Sequence, residues 1–294
     1  MRNYYCVAGH LFCLEFKSEL TAVPDLSQYA PFAVPQPEGE PVFTLTVVDK
    51  LPELEPVLVL DQPTEPGETK IKLFRCGEQW YSESSVTSNH PIAARLLMSG
   101  DFTDAKLEVC GGADALFAVN NSLMLLYAFR TATLGTLEMH ASVIAHEGLG
   151  YLFLAKSGTG KSTQSRMWLR CIEGARLLND DNPIVRIMPD GSVRVFGSPW
   201  SGKTPCYRNE SYPVGAFVRI RRCSENHMTR LSVIEAYASL YSSCSGFKPD
   251  ARMGDALHRS IEAAVSAVPC FVLDCLPDED AARVCCKAVK EARI

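Results

Sequence analysis

The sequence lacks the features of several protein classes. Its 294 residues contain no apolar run of about eighteen, the length from which a membrane-spanning helix is predicted. The net charge is -5 and there is no block of like charges, so nothing indicates a nucleic-acid partner. Internal repeats and low-complexity segments are also absent. We therefore expect a protein that binds neither membranes nor nucleic acids.

The twelve cysteines form no C-x-x-C pair, so a zinc site is not predicted. A chain of this length does not need a disulfide framework, and we expect reduced thiols. The apolar run up to Leu14 is interrupted by His10, and no A-x-A-like cleavage site follows it. These observations predict a cytoplasmic location.

What is present is an ordinary globular composition, 47% hydrophobic and 21% charged, arranged in two differently patterned parts. Residues 1–112 are expected to be a β-rich region, to which the sequence assigns no role. A proline-rich loop is predicted over 24–41. Strands are predicted over 4–16, 42–48, 57–60, 70–74, 80–84 and 106–110.

Residues 113–294 have an alternating pattern that predicts an α/β fold with a mixed sheet. Helical spacing over 113–133 predicts a helix that joins the two parts. The segments predicted after it are strands 137–145 and 150–155, helix 161–171, strand 176–179, a hairpin of 184–188 with 192–196, strand 216–222, helix 250–268, strand 270–275 and helix 278–293.

A glycine-rich segment, A-K-S-G-T-G-K-S-T from Ala155 to Thr163, lies between a predicted strand and a predicted helix. This is the context of a Walker A motif, in which backbone N–H groups and the helix N-terminus converge on phosphate oxygens. Lys161 would add a positive charge, and the Ser162 hydroxyl would ligate Mg²⁺. The residues predicted to bind the nucleotide are Ser157, Gly158, Thr159, Gly160, Lys161, Ser162 and Thr163.

Ala155 replaces the first glycine of the motif, which implies an ordinary backbone conformation or a strained start of the loop. The alternative interpretation of the segment is a simple Gly-Thr-Gly turn followed by a surface lysine.

The stretch from Met139 to Ser162 resembles the catalytic domain of HPr kinase/phosphorylase, in which a Met-His strand precedes a Gly-x-Gly turn and a Ser-Gly-x-Gly-Lys-Ser loop. Its Ser-Gly-Thr-Gly-Lys core is equally similar to phosphoenolpyruvate carboxykinases, which share that P-loop fold. The chain is at least as similar to shortened HPr-kinase-like proteins that occur beside peptide-modifying enzymes. The resemblance covers roughly Leu137 to Leu276 and is specific from His140 to Asp181.

Both families carry an acid pair after the P-loop helix, here Asp180 and Asp181. The resemblance makes Asp180 the catalytic base that accepts a proton from a hydroxyl, and Asp181 a Mg²⁺ ligand together with Ser162. Because adjacent carboxylates repel, a metal-bound one stays ionised while the other can keep a raised pKa. The alternative is an Asx turn before Pro183. His140 matches a histidine that would orient the catalytic carboxylate, or it is an ordinary core histidine.

The loop 196–209 combines glycines, prolines, a tryptophan and two cations, a composition that favours a functional loop. Lys203 and Arg208 would clamp the transferred phosphate or an acidic substrate, and Trp200 would stack on a ring or a peptide side chain. The alternative is a solvated turn with Trp200 in the core. Three further arginines are interpreted as solvent-facing or sheet-edge charges: Arg219, Arg221 and Arg222.

The expected function is a kinase that transfers the γ-phosphoryl group of ATP, or of another nucleoside triphosphate, to a hydroxyl with Mg²⁺ as cofactor. The acceptor would be a serine of a protein or peptide, or a small molecule, and a homo-oligomer is left open. The Glu-Ile-Arg-Gly-Leu-Gly-Ile-like stretch of HPr kinases is missing, and Thr163 stands where those enzymes have an acid. A nucleotide-binding regulatory or scaffold protein without turnover is therefore the alternative, followed by a phosphoenolpyruvate carboxykinase-like enzyme.

Overall fold

The computed structural model describes residues 1–62, 64–65, 67–202, 204–247 and 249–292. The backbone divides into two compact units, one of Met1–Thr131 with Phe247–Ala251 and the other of Ala132–Gly246 with the chain from Arg252. Each unit contains a mixed sheet, so the chain is a mixed α/β protein. The division falls after Thr131 and not at residue 112, because the connecting helix belongs to the first unit up to that residue.

The described part of the first unit has eight strands in the order β1-β2-β3-β8-β7-β6-β5-β4, together with helix α1 (Ala115–Ala132) and short 3₁₀ helices at Ser27–Phe32 and Gly112–Asp114. The strands are β1 (Arg2–Val7), β2 (His10–Phe16), β3 (Thr44–Val48), β4 (Val57–Asp61), β5 (Lys70–Cys76), β6 (Gln79–Ser85), β7 (Ala94–Met98) and β8 (Asp104–Val109).

Two features of this unit differ from the prediction. The single strand expected over 4–16 is a hairpin, because Ala8 and Gly9 take positive φ angles of 49° and 77° and reverse the chain. Strand β7 was not predicted, since its sequence Ala-Arg-Leu-Leu-Met contains helix-forming residues and no β-branched ones. Tyr127 of α1 packs edge-on against Phe12 and Phe43, which stack on each other in the interior.

Within the described residues, the second unit contains ten strands and four helices. The strands are β9 (Thr136–Met139), β10 (Ala141–His146), β11 (Leu149–Leu154), β12 (Arg176–Asp181), β13 (Ile184–Ile187), β14 (Val193–Phe196), β15 (Ser211–Arg222), β16 (His227–Arg230), β17 (Cys244–Ser245) and β18 (Cys270–Cys275). The helices are α2 (Lys161–Cys171), α3 (Val233–Tyr241), α4 (Ala251–Ala267) and α5 (Glu279–Glu291).

The strand order of this unit is β12-β10-β11-β15-β14-β13-β9-β17, with β18 between β15 and β16. Strand β15 runs parallel to both β11 and β18, whereas β10 is antiparallel to β11 and β12. The predicted strand 137–145 is divided at His140, because β9 pairs with β13 and β17 while β10 pairs with β11 and β12. His140 therefore lies where the chain passes between neighbouring parts of the sheet.

Both faces of strand β11 are buried. Leu152 and Leu154 belong to one apolar cluster, which includes residues of α3 and α4. Tyr151 and Phe153 belong to the other, which includes residues of α2 and α5. Helices thus cover both faces of the sheet, and the glycine-rich segment follows a strand that is held on two sides. No helix in the described ranges is long and apolar enough to cross a membrane.

Candidate functional site

The glycine-rich segment leaves the end of β11 and enters α2 at Lys161, as the sequence predicts. Gly158 and Gly160 have φ angles of +73° and +134°, which side-chain-bearing residues rarely adopt. Ala155 does not have a positive φ angle. The non-glycine residues in the described ranges that do have one are Ala8, Phe102 and Glu147. The loop therefore begins in an ordinary conformation, and alanine is accepted at its first position without strain.

The N-terminus of helix α2 is open. Gly160 is its N-cap, and no side chain in the described part of the protein caps the first turn. The first N–H groups of a helix have no partner within the helix, and here they belong to Lys161, Ser162 and Thr163. Together with the positive end of the helix dipole, they form a place where an anion is stabilised.

Lys161 is a buried lysine, with 8% of its surface exposed. Its Nζ donates a hydrogen bond of 3.2 Å to the backbone carbonyl oxygen of Ala155. Burial lowers the pKa of Lys161, whereas the charges of Asp181 and Asp180 raise it. The surface lysine of the alternative interpretation is therefore not what the structure contains.

The two acids belong to strand β12 itself and do not follow it in a loop. Asp180 and Asp181 face Ser142 and Ala141 across the β10–β12 pairing. The backbone N–H of Asp181 donates to the side-chain oxygen of Asn179 over 2.9 Å. Strand pairing thus extends through both acids, and the Asx-type hydrogen bond at this strand end is accepted by Asn179 and not by either acid.

The surroundings of the two carboxyl groups differ. Asp180 is buried, and its Oδ1 has no hydrogen-bond partner among the described residues. Burial raises the pKa of Asp181 and the neighbouring Asp180 raises it further, while His140 and Lys161 lower it. The resemblance assigns Asp181 to Mg²⁺ and predicts an ionised group there, whereas burial raises its pKa. The buried carboxyl group of Asp180 thus lies beside the partly exposed one of Asp181, and two neighbouring carboxyl groups are suited to binding a cation.

His140 lies beside Asp181, whereas it was expected to lie beside Asp180. Its Nδ1 is 3.8 Å from Oδ1 of Asp181, whereas the resemblance makes it the orienting partner of the catalytic base, Asp180. His140 directly precedes Ala141, the residue that pairs with Asp181 across the β10–β12 ladder. The histidine is partly exposed and is not enclosed in the core.

The loop after β14 contributes less than its composition indicates. Trp200 is 2% exposed, and its backbone oxygen accepts hydrogen bonds from Asn182 and from the side chain of Asn179. This is the packing alternative, since a buried indole offers no stacking surface. Arg208 is exposed and forms an ion pair of 3.5 Å with Glu210. Lys203 lies outside the described residues.

One of the arginines that the sequence left as sheet-edge charges contacts the loop. Arg222 donates to the carbonyl oxygen of Thr159 over 3.0 Å and also to that of Gly158. Because these carbonyl groups are held toward β15, the loop is fixed from the outside. The sequence predicts both strands and shows the Arg-Ile-Arg-Arg end of β15, but it does not show that β15 pairs with β11.

Two cavities adjoin the loop. One, of about 460 Å³, lies between residues 156–159 and residues 219–222. The other, of about 350 Å³, is bounded by the start of α2, the end of β15 and the residues that follow β18. They have Gly158, Thr159 and Arg222 in common, so the loop is accessible to a ligand from more than one side.

Glu138 is a further acid that the sequence analysis did not single out. It is 2% exposed, and neither carboxyl oxygen has a hydrogen-bond partner in the described part of the chain. Burial holds the pKa of Glu138 well above its usual range, and Asp181 raises it further. The local sequence Leu-Glu-Met-His does not show that this acid is buried, because the same sequence would suit an edge strand with an exposed glutamate.

No protein-family model matches the chain, and no curated protein matches its sequence. One similar solved structure is that of the Hpr(Ser) kinase/phosphatase from Coxiella burnetii. The match covers 53% of this chain and 95% of that chain, with 10% sequence identity and a TM-score of 0.31. A similarity this weak supports no inference about activity.

Proposed function

We propose that this chain is an ATP-dependent phosphotransferase with a P-loop domain of the HPr kinase and phosphoenolpyruvate carboxykinase type. The γ-phosphoryl group would pass to a hydroxyl of a protein, a peptide or a small molecule. The observation that carries the proposal is the buried Lys161, which follows the glycine loop and is influenced by the charges of both Asp180 and Asp181. The proposal thus combines a phosphate-binding loop and an acid pair in one site.

The nucleotide would be held by its phosphates. Gly158 and Gly160 give the loop its conformation, and the first N–H groups of α2 point out of the helix toward an anion. Lys161 has used one of its three N–H donors on Ala155, so two remain for phosphate oxygens. Ser157, Thr159 and Thr163 would complete the cradle.

The site also fits Mg²⁺. In the described ranges, no group of three or more His, Cys, Asp or Glu side chains is spaced to hold a metal by itself. Protein sites for Mg²⁺ ordinarily combine one or two carboxylates with substrate phosphates, which agrees with Asp181 and Ser162. When bound, the ion would neutralise charge on the phosphates.

Asp180 would accept the proton of the attacking hydroxyl. As the oxygen of the acceptor bonds to the γ-phosphorus, the bond to the leaving ADP oxygen breaks and the hydroxyl proton moves to the carboxylate. His140, 3.8 Å from Asp181, would hold that neighbouring carboxylate in position. Phosphoryl transfer needs little more from a protein than such positioning and charge neutralisation.

A second candidate is a regulatory protein that binds nucleotide without turnover. The observation that favours it is the burial of Asp180, which is only 6% exposed and offers little room for an acceptor hydroxyl. Both candidates require that the loop binds a nucleotide, and they differ in whether a phosphoryl group leaves it.

The test has two stages. Thermal unfolding is first followed during titration with ATP and Mg²⁺, which should stabilise the protein by about 2.7 kcal/mol at a hundredfold excess over Kd. ATP labelled at the γ-phosphate is then incubated with the protein and with serine peptides or small alcohols. Asp180→Asn is the test variant, and Asp190→Asn, in the exposed β13–β14 turn, is the matched control.

Transfer by the wild type and by Asp190→Asn, with none by Asp180→Asn, is the expected result. Stabilisation without transfer or hydrolysis would favour the regulatory candidate, and unchanged turnover in Asp180→Asn would remove this residue as the base. Absence of any response to nucleotide would overturn the whole proposal. Decarboxylation of a four-carbon acid, or its formation by carboxylation of a three-carbon acid, would instead indicate a carboxykinase-like enzyme.

A further inference from the structure

We propose that Arg219 is a second phosphate-binding cation of this site, whose free guanidinium N–H groups bind the terminal phosphoryl group of the nucleotide. The inference rests on the proposed function and extends it to a residue outside the glycine-rich motif. It is carried by the position of Arg219, by its hydrogen bonds and by the absence of a neutralising partner among the described residues.

Strand pairing brings Arg219 to the start of the loop. In the parallel β11–β15 ladder, Arg219 is the neighbour of Leu154, the last residue of β11. Arg219 lines the cavity of about 460 Å³ together with Lys156, Ser157 and Gly158. An anion held by the loop on this side would therefore face the guanidinium group.

Hydroxyl groups hold one side of the guanidinium in place. Its Nε donates to the Ser239 hydroxyl over 2.9 Å, and its Nη2 donates to the hydroxyls of Ser242 and Ser243 over 2.6 and 3.1 Å and to the backbone oxygen of Ser239. The backbone oxygen of Ser243 also accepts the backbone N–H of His140 over 2.7 Å. The turn after α3 thus fixes Arg219 relative to the strand break that carries His140.

The positive charge of Arg219 is oriented but not neutralised. No carboxylate in the described part of the chain lies within ion-pair distance of Arg219, and burial alone lowers its pKa. Its neighbours differ, since Arg221 is paired with Asp274 and Arg222 is bound to loop carbonyl groups. Serine hydroxyls can position a guanidinium without cancelling its charge.

The remaining donors are available for a ligand. All the hydrogen bonds of Arg219 to described residues involve Nε and Nη2, which leaves the two N–H groups of Nη1. The charge of Arg219 also lowers the pKa of Lys161, so the two cations repel each other. A phosphate bound between them would relieve this repulsion, and a guanidinium can offer it two hydrogen bonds.

The experiment compares the Kd values of ATP and ADP, each with Mg²⁺, by calorimetry. We expect Arg219→Ala to weaken ATP binding by about 10- to 100-fold, the usual effect of losing a hydrogen bond to a charged group. ADP binding should change far less, because ADP lacks the terminal phosphoryl group. Arg194→Ala is the matched control, since Arg194 is likewise held by a serine, Ser211, but does not line the cavity. It should bind both nucleotides like the wild type.

If Arg219→Ala weakens ATP and ADP binding equally, or weakens neither, the inference is overturned. The proposed function still stands in that case, provided that the wild type binds nucleotide. A wild type that binds neither nucleotide would instead overturn the proposed function, and with it the inference that rests on it. If Arg219→Ala does not fold, Arg219→Lys decides by the same ratio, because lysine keeps the charge but cannot keep both the serine contacts and two free N–H groups.

Discussion

The ammonium group of Lys161 donates a 3.2 Å hydrogen bond to the backbone carbonyl oxygen of Ala155, at the opposite end of the same loop. This contact closes the loop on itself and accounts for the burial of a lysine that forms no ion pair within the described residues. It also leaves most of the donor capacity of the ammonium group unused. A site with this unused capacity is suited to an anion.

The first prediction concerns that ammonium group. Lys161→Met keeps the aliphatic stem and removes the charge, so ATP should bind about 10- to 100-fold more weakly by calorimetry. The unfolding free energy in urea should not fall, because burial already lowers the pKa of Lys161. Lys287→Met, which changes an exposed lysine of α5, is the control. Unchanged ATP affinity in Lys161→Met would show that the loop does not use this charge.

The second prediction concerns the outer support of the loop. Arg222→Ala removes the hydrogen bonds to the carbonyl groups of Gly158 and Thr159, so backbone amides of residues 157–160 should exchange hydrogen faster. Each lost hydrogen bond is worth about 0.5–1.5 kcal/mol, which predicts exchange at least a few-fold faster. Mass spectrometry of the exchanged peptide gives the measurement.

Arg221→Ala is the control for this experiment, because the adjacent Arg221 is exposed and pairs with Asp274 instead of with the loop. Equal exchange of the loop peptide in both variants and in the wild type would mean that Arg222 does not restrain it.

Local features of the site could be predicted from the sequence. Helix α2 has its predicted bounds, and β18 begins and ends at its predicted residues. The β13–β14 hairpin forms around Pro189, Asp190 and Gly191, where Gly191 takes the positive φ that such turns favour. The signals for these elements are apolar periodicity, a glycine or a proline. Each signal lies within a few residues of the structure that it determines.

Features that depend on partners far along the chain could not be predicted. Arg219 and Arg222 reach the loop because β15 pairs with β11, roughly sixty positions earlier. The burial of Trp200 depends on packing that no local pattern specifies. His140 interrupts a strand because its two flanks pair with different neighbours. In each case the contacts of the folded sheet decide the role of a residue whose own sequence context is neutral.

The third prediction concerns Glu138, whose folded-state pKa lies well above its ordinary value of 4.5. Such a carboxyl group holds its proton more tightly in the folded protein, so its contribution to stability is complete below the unfolded pKa and is lost as pH rises toward the folded pKa. Glu138→Gln cannot ionise and should escape this loss. The difference in unfolding free energy between Glu138→Gln and the wild type should therefore grow as the pH rises above 4.5, by up to about 1.4 kcal/mol per pH unit.

Urea unfolding at a series of pH values from acidic to neutral checks the prediction for Glu138. Glu262→Gln, on the exposed side of α4, serves as the control and should show the pH dependence of the wild type. Parallel curves for Glu138→Gln and the wild type would mean that folding does not raise the pKa of this buried carboxyl group.

The fourth prediction concerns Gly197, where the loop after β14 begins. A Cβ atom at this position would lie 2.0 Å from the backbone oxygen of Arg208, so the chain on one side must move. Gly197→Ala should therefore reduce the unfolding free energy in urea by about 1–3 kcal/mol, the usual cost of overpacking. Movement of this loop would also disturb Trp200, whose backbone oxygen is bonded to Asn179 beside Asp180.

Gly254→Ala provides the matched control, because a Cβ atom there meets nothing within 4 Å and the residue lies inside helix α4. Alanine stabilises a helix interior relative to glycine, so this variant should gain about 0.5–1 kcal/mol. The same substitution is thus expected to have opposite signs at two positions of one unit. A loss at Gly254 comparable to that at Gly197 would indicate that space around the added methyl group is not what decides the outcome.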